Sequence, residues 1–348
     1  MDSLSQLSLG AALSVAVLGR RVPVGRAALW GAIAGTIPDL DALIDFGDPI
    51  RNMTTHRAES HSLLYLTLAA PLLAWGVARL HREPHLFPRW VVALGLVLVT
   101  HPLLDWMTVY GTQLGIPFTS TPFGLGSMFI VDPLYTLPLL VGLGVTLARG
   151  RRSWTVAGLA LSTAYLGWSA LAQAHVTRLA RASLVAQGLP AQQLLVTPTA
   201  FNTVLWRVVA ITPDGYAEGF HSLLDPGTTV SFQTFPRGRE LASELQGIWG
   251  VSRMAWFTRG FYALDEREGR AVVTDLRMGQ EPSYVFAFAV AQRGSAFQAI
   301  PPEAAGDRGQ AGKLLAWTWK RIWDPQVLPL AAPETRETIG TTVQAPTP

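Results

Sequence analysis

The chain has 348 residues, 49% hydrophobic and only 15% charged, with 24 acids against 27 bases. Soluble globular proteins carry about 25% charged residues, so this composition excludes a disordered or fibrous chain and points to apolar surroundings. The absence of Cys excludes disulfide scaffolds, thiolate zinc sites and cysteine nucleophiles, and a formal charge of +3 from nearly cancelling charges argues against nucleic acid as a partner.

The charges are unevenly spread, with 20 in residues 1–176 and 31 in residues 177–348. Apolar runs fill the first part: 4–19, 27–38 continuing to Ile44, 62–78, 90–104, 133–148 and 153–174. The last holds 22 residues without a charge, within the range of about 17–25 that a spanning helix needs. Short apolar runs also suit a buried soluble core, but so many with almost no polar face favour a membrane α-helical bundle of about six transmembrane segments. Run 4–19 lacks a basic leader and a small-residue cleavage site, so it reads as retained.

Arg20, Arg21 and Arg26 follow the first run, Arg79, Arg82 and Arg89 the third, and Arg149, Arg151 and Arg152 the fifth. By the positive-inside rule these alternate loops face the cytoplasm. The remaining loops and both termini then face outward. That side holds Asp39, Asp41, Asp45, Asp48, Glu59, Asp105 and Asp132, seven of the nine acids in residues 1–176.

Residues 177–348 read differently. A helix is expected through about Gln187, and runs 204–211, 229–235, 254–263, 270–277 and 284–291 have strand composition. Pro213-Asp214-Gly215 and Asp225-Pro226-Gly227 read as turns. The organisation expected is a polytopic membrane domain over 1–176, a small extracytoplasmic β-rich (α+β) domain over 177–324 and a flexible tail over 325–348. Residues 314–323, with Trp317, Trp319, Lys320, Arg321 and Trp323, suit either an interfacial helix or a helix packed on the β-rich domain.

Ionisable residues at membrane depth are functional candidates by default. Asp39 and Asp41 stand in Pro38-Asp39-Leu40-Asp41 at the outer end of the second run. Carboxylates so close repel unless a cation or proton intervenes. His56 and His61 bracket the entry to the third run, where Ser60 or Ser62 can cap a helix and Arg57 can hold an anionic group. His101 and Asp105, four apart, share a helical face: a metal pair, a carboxylate orienting a His ligand, or a hydrogen bond that only stabilises packing. Asp132 before Pro133 suits an N-cap and a ligand equally. Thr108, Tyr110, Thr112, Gln113, Pro117, Phe118 and Thr119 form a polar and aromatic stretch fit either for a substrate mouth or for an interface belt. Together the carboxylates and imidazoles suit one Zn²⁺ or a pair of divalent ions.

These stretches resemble a known family, the bacterial membrane-bound metal-dependent hydrolases described as LexA-regulated or LexA-binding inner-membrane hydrolases. The resemblance runs over residues 1–148. It is carried by Met1-Asp2-Ser3-Leu4 with Leu9-Gly10-Ala11-Ala12, Pro38-Asp39-Leu40-Asp41, His56-Arg57 with Ser60-His61-Ser62-Leu63-Leu64, His101-Pro102-Leu103-Leu104-Asp105, Tyr110-Gly111-Thr112, Pro117-Phe118 and Asp132-Pro133. The family usually has Gly where Ala58 stands and Phe or Thr near Glu59. The resemblance implies a divalent-metal hydrolase of the bacterial inner membrane, with Asp39, Asp41, His56, His61, His101, Asp105 and Asp132 as metal ligands. The H-x-x-x-D element is also similar to one in zinc phospholipase C-like phosphoesterases.

The expectation is therefore a hydrolase at the outer face of the membrane, holding one or two divalent ions, Zn²⁺ foremost. Its substrate would be an anionic lipid or phosphoester. Arg57 and Asp105 carry the catalytic expectation, Arg57 by stabilising charge on the ester. A non-enzymatic ion-binding protein or transporter is the second reading. A functional β-rich domain on a membrane anchor is the third.

Overall fold

The computed structural model describes residues 1–307, 309 and 311–331. The first part is helical: α1 (Ser3–Leu18), α2 (Val24–Thr36), α3 (Pro49–Thr55), α4 (Leu63–Leu80), α5 (Phe87–Trp106), α6 (Pro133–Arg149) and α7 (Ser153–Ala186). Side-chain caps set several starts: Asp2 for α1, Asp48 for α3, Ser62 for α4 and Asp132 for α6.

Three helical stretches are long and apolar enough to cross a membrane: Leu63–Leu80, Pro84–Trp106 and Ser153–Ala186. This corrects the expected six segments, and the reason is length. The 16 residues of α1 and 13 of α2 rise about 24 Å and about 20 Å, short of a hydrocarbon core of about 30 Å. Apolar α6, with 17 residues, also falls short of the spanning group.

Small residues let α1 and α2 pack backbone to backbone. A Cβ on Gly31 would lie 2.2 Å from the Gly10 carbonyl oxygen, and one on Gly10 2.3 Å from that of Gly31. Ser5 of α1 meets Thr136 of α6 at 2.6 Å, and Gln6 Nε2 donates to the His101 carbonyl at 3.1 Å. Polar side chains on α1 thus face neighbouring helices, as membrane-type packing requires. The Arg-rich loops converge at one end, where Arg26 pairs with Glu83 at 2.8 Å and Arg152 donates to the Val22 carbonyl at 2.8 Å. The carboxylates of the sequence motifs collect at the other.

Residues from Gln193 onward build two four-stranded antiparallel sheets and a two-stranded hairpin. The first sheet runs β1 (Gln193–Pro198), β2 (Leu205–Ile211), β3 (Tyr216–Ser222), β4 (Phe232–Phe235) in that order. Helices α8 (Arg239–Glu244) and α9 (Trp249–Phe257) follow. The second sheet has the order β10-β9-β6-β5, formed by β5 (Tyr262–Arg267), β6 (Arg270–Asp275), β9 (Ala287–Arg293) and β10 (Phe297–Ala304). The hairpin is β7 (Gly279–Gln280) with β8 (Ser283–Tyr284), and α10 (Ala311–Trp323) closes the described fold.

Most of the expected strands appear, but residues 254–263 divide into the end of α9, a turn and the start of β5. Gly250, Val251, Met254 and Phe257 are the buried residues of α9, at helical spacing, and Gly260 breaks the run at positive φ. The aromatics of that run had suggested a strand.

The two parts are stitched together. Ala172, Val176 and Ala180 of α7 pack on Val196, Trp206 and Val208 of the first sheet. Ile50 and Met53 of α3, with Tyr110, share a core with α9 and the second sheet. Helix α10 packs on the first sheet through Trp317 and Ile322, against Leu205 and Phe220, and leaves Trp319 and Trp323 exposed. Of the expected tail, residues 332–348 lie outside the described residues.

Two expectations follow for stability. Gly31→Leu should lower the melting temperature strongly or prevent folding, since overpacking costs about 1–3 kcal/mol even where neighbours can shift. Gly144→Ala, with no atom within 4 Å of the new Cβ, should not. Thermal unfolding followed by circular dichroism checks both. The second concerns α10. Burial alone would raise the Asp225 carboxyl, but the Arg321 fork, with two contacts of 2.8 Å, and the Ser222 N–H outweigh it and hold it below its ordinary value. A depressed carboxylate stabilises the fold above the unfolded pKa of about 3.9 and loses that stabilisation as pH falls through the folded value. Hydrogen exchange in α10 should therefore be flat from pH 8 to about 5 once corrected for intrinsic rates, and rise below about 4. Asp225→Asn should speed it at least about tenfold at neutral pH.

Candidate metal centre

Three pieces of chain converge at the C-terminal ends of α2 and α5. Pro38 sits in a 3-10 turn, Ile37–Leu43, that leaves α2 and carries Asp39 and Asp41. A short loop after α3 carries His56 and Arg57, and the 3-10 turn Glu59–His61 delivers His61 to the start of α4. Helix α5 continues through Pro102, so His101 and Asp105 share a face as their spacing requires.

Asp39, His61, His101 and Asp105 form one group whose ligand atoms lie within 4.8 Å of one another. His61 Nε2 is 3.5 Å from Asp39 Oδ1 and 3.1 Å from Asp105 Oδ2. His101 Nε2 is 3.4 Å and 3.3 Å from the same two atoms, and the two Nε2 atoms are 3.2 Å apart. A tetrahedral ion with bonds of about 2.0–2.1 Å has ligand–ligand edges of about 3.3–3.4 Å. The five edges therefore match a tetrahedral shell. His61, His101 and Asp105 are fully buried, and Asp39 alone is partly open.

The outer contacts settle which nitrogens face the centre. His101 Nδ1 donates to the Gly35 carbonyl at 2.8 Å, since a carbonyl only accepts. Ser60 Oγ donates to Asp41 Oδ2 at 2.5 Å and accepts from His61 Nδ1 at 2.8 Å. With each Nδ1 donating outward, the Nε2 of each imidazole is the nitrogen that faces the centre. Two imidazole nitrogens and two carboxylate oxygens face one another, and Asp105 Oδ2 has no hydrogen-bond partner. A shared metal cation, or protons on the imidazoles, would relieve these contacts, and an oriented imidazole backed by a carbonyl or carboxylate is the usual support of a metal ligand.

Asp41 and His56 lie one layer out. Asp41 also accepts from His56 Nδ1 at 2.8 Å and from the Arg57 backbone N–H at 3.0 Å. Burial alone would raise its carboxyl, and the His56 and Ser60 contacts outweigh that and lower it. Arg57 is 4% exposed, with Nη2 3.1 Å from Asp105 Oδ1 and the guanidinium over the Tyr110 ring. It holds the ligand carboxylate; it does not face solvent. The Met1 nitrogen also contacts Asp105 Oδ1. Asp132 is outside the group: it caps α6 and accepts from the Tyr165 hydroxyl at 2.9 Å. Burial raises its carboxyl above the ordinary value, against those contacts.

The polar loop after α5 serves as scaffold. Tyr110 Oη donates to the Met53 carbonyl at 2.7 Å and Gln113 Nε2 to that of Thr54 at 2.9 Å. The role of Ser60 as the link between His61 and Asp41 went unread because a Ser before a helix already has a capping role. The Gly35 carbonyl has no sequence signal at all.

Residues 1–176 match the family described as YdjM inner membrane protein. The chain belongs to that family. No curated protein and no solved structure matches it. All four residues of the group fall inside the family match, and the sheets fall outside it.

The purified YdjM-family chain should carry about one equivalent of divalent metal by elemental analysis. His61→Ala and His101→Ala should each lower it at least about tenfold, and Asp132→Asn should leave it unchanged. Retention should fall in acid, because metal ligands must be deprotonated to bind. Metal held equally at pH 4 would exclude His ligation.

Proposed function

We propose that this protein is a multi-pass, metal-dependent hydrolase of the bacterial inner membrane, acting on an anionic lipid or phosphoester at the outer face. The observation that carries the reading is the set of four inward-turned ligand atoms at tetrahedral spacing. Zn²⁺ suits two imidazoles and two carboxylates. A bound ion of this kind supplies a Lewis acid and lowers the pKa of a coordinated water from about 15.7 towards 7.

The chain's own residues do the rest. Asp105 is a ligand held by Arg57, so Arg57 is a positioning residue. Asp39 is the ligand at the open edge, next to half-buried His56. Exposed Leu40, Leu43 and Ile44 flank the same edge. An apolar lip beside charged groups suits a substrate with a polar head and an apolar tail approaching from the bilayer. The Arg-rich loops at the opposite end of the bundle support the outward assignment of the site and of the sheets.

The second reading rests on one observation. Four protein atoms complete the tetrahedron, as in structural zinc sites, whereas catalytic sites usually keep one position for water. In that case the ion only holds the bundle together. Turnover by metal-loaded protein in bilayers, against phosphomonoesters, phosphodiesters, lipid esters and amides, separates the two. The hydrolase reading expects phosphoester cleavage that falls at least about 100-fold in His101→Ala. Metal-loaded protein that cleaves none of them, and melts lower once the metal is removed, supports the structural reading.

A further inference from the structure

A second cavity, of about 300 Å³, lies in the β-rich part away from the metal ligands. Its walls come from the loop before α6 (Met128, Ile130), the end of β1 (Pro198) and the segment after β8 (Val285, Phe286), with Leu314 of α10 beside them. The lining is overwhelmingly apolar, and the volume is at the small end for ligand pockets, about 300–1,000 Å³.

Three features identify the occupant. First, Gln280 and Thr318 also line the cavity, at 3% and 4% exposure, and Gln280 Nε2 and Thr318 Oγ1 have no hydrogen-bond partner among the described residues. A buried amide donor left unpaired is unfavourable, so the pair calls for an acceptor inside an apolar space. Second, the cavity offers no free charge. Arg207 is paired with Glu218 at 2.6 Å and Arg277 with Asp275 at 2.7 Å. A phosphate headgroup finds no unneutralised cation there, whereas a neutral carbonyl suits Gln280. Third, exposed aromatic side chains lie close in sequence to the lining or hydrogen-bond near it. Phe201 follows Ala200 of the lining, Trp319 follows Thr318, and Trp168 donates to Thr203 at 3.3 Å; all three aromatics are exposed. Exposed aromatic side chains, Trp above all, suit the zone between headgroups and acyl chains.

We propose that this cavity binds one acyl chain of a membrane glycerolipid, with the ester carbonyl accepting from Gln280 Nε2. The proposal stands apart from the hydrolytic reading, since it uses none of the metal-site residues.

The test uses the full-length protein in phosphatidylethanolamine–phosphatidylglycerol vesicles doped with a phospholipid carrying a mid-chain diazirine. After irradiation, labelled peptides are mapped by mass spectrometry. Label is expected on residues 128–130 and 278–286, besides the exposed apolar faces of α4 and α7. Ala200→Trp, which fills the space, should lower the 278–286 label at least about tenfold while α4 labelling stays constant. Gln280→Leu, with nearly the same volume but no donor, should lower it at least about threefold. Each variant is first shown to melt as the parent does. No label on 278–286 in the parent, or the same label there in both variants, overturns the proposal.

Discussion

The structure turns on a carboxylate buried in a helix bundle. Asp105 lies within one of the three apolar spans and is 0% exposed. A buried anion is tolerated only with compensating charge or hydrogen bonds. Its Oδ1 meets Arg57 and the Met1 nitrogen. Its Oδ2 meets two imidazole nitrogens whose rings each donate from Nδ1 to another group. Asp39 adds a further negative group. The local geometry is self-consistent when a cation is shared among the four, and this is why the site reads as a metal centre.

Everything around the group serves its geometry. The close α1–α2 approach at Gly10 and Gly31 brings α2 into the bundle, and α2 ends in the turn that carries Asp39. Gly35 on α2 orients His101 across to α5. The β-rich part contributes from the other side. Arg253 of α9 donates to Thr54 Oγ1 at 2.8 Å, and Tyr110 and Gln113 donate to the carbonyls of Met53 and Thr54. These contacts fix the end of α3, so the backbone enters the His56–His61 loop in one direction. Arg57 there takes a positive φ of 65°, a conformation costly for a non-Gly side chain and held by its surroundings. The β-rich part therefore clasps the loop that supplies one imidazole, which gives it a mechanical role at the site.

How far the sequence could be read depended on the range of the signal. Periodicity and charge spacing are local, so His101 with Asp105, the Asp132 cap and most strands were legible. So was the gathering of Arg loops and carboxylates at opposite ends of the bundle, because the two alternate along the chain. The number of spans was not, because apolar composition does not distinguish a helix of 13 residues from one of 18. The end of α9 was hidden by aromatics that suit a strand as well as a helix face. Within the site, residue type pointed to ligands but not to their layer. Asp39 and Asp41 are two residues apart and chemically alike, yet one meets the imidazole Nε2 atoms and the other orients His61 through Ser60. That division is set by the 3-10 turn and by contacts from segments far away in sequence.

The same reasoning separates two buried acids at helix ends. Asp132 and Asp105 are both 0% exposed, but their compensation differs. Asp132 accepts from α6 backbone N–H groups and the Tyr165 hydroxyl, all neutral donors, and burial still raises its carboxyl. A carboxylate with this many donors is paired without an ion. Asp105 instead faces a guanidinium on one oxygen and two imidazole nitrogens on the other. This difference between its two oxygens places Asp105 in the candidate metal group and leaves Asp132 to the helix it caps.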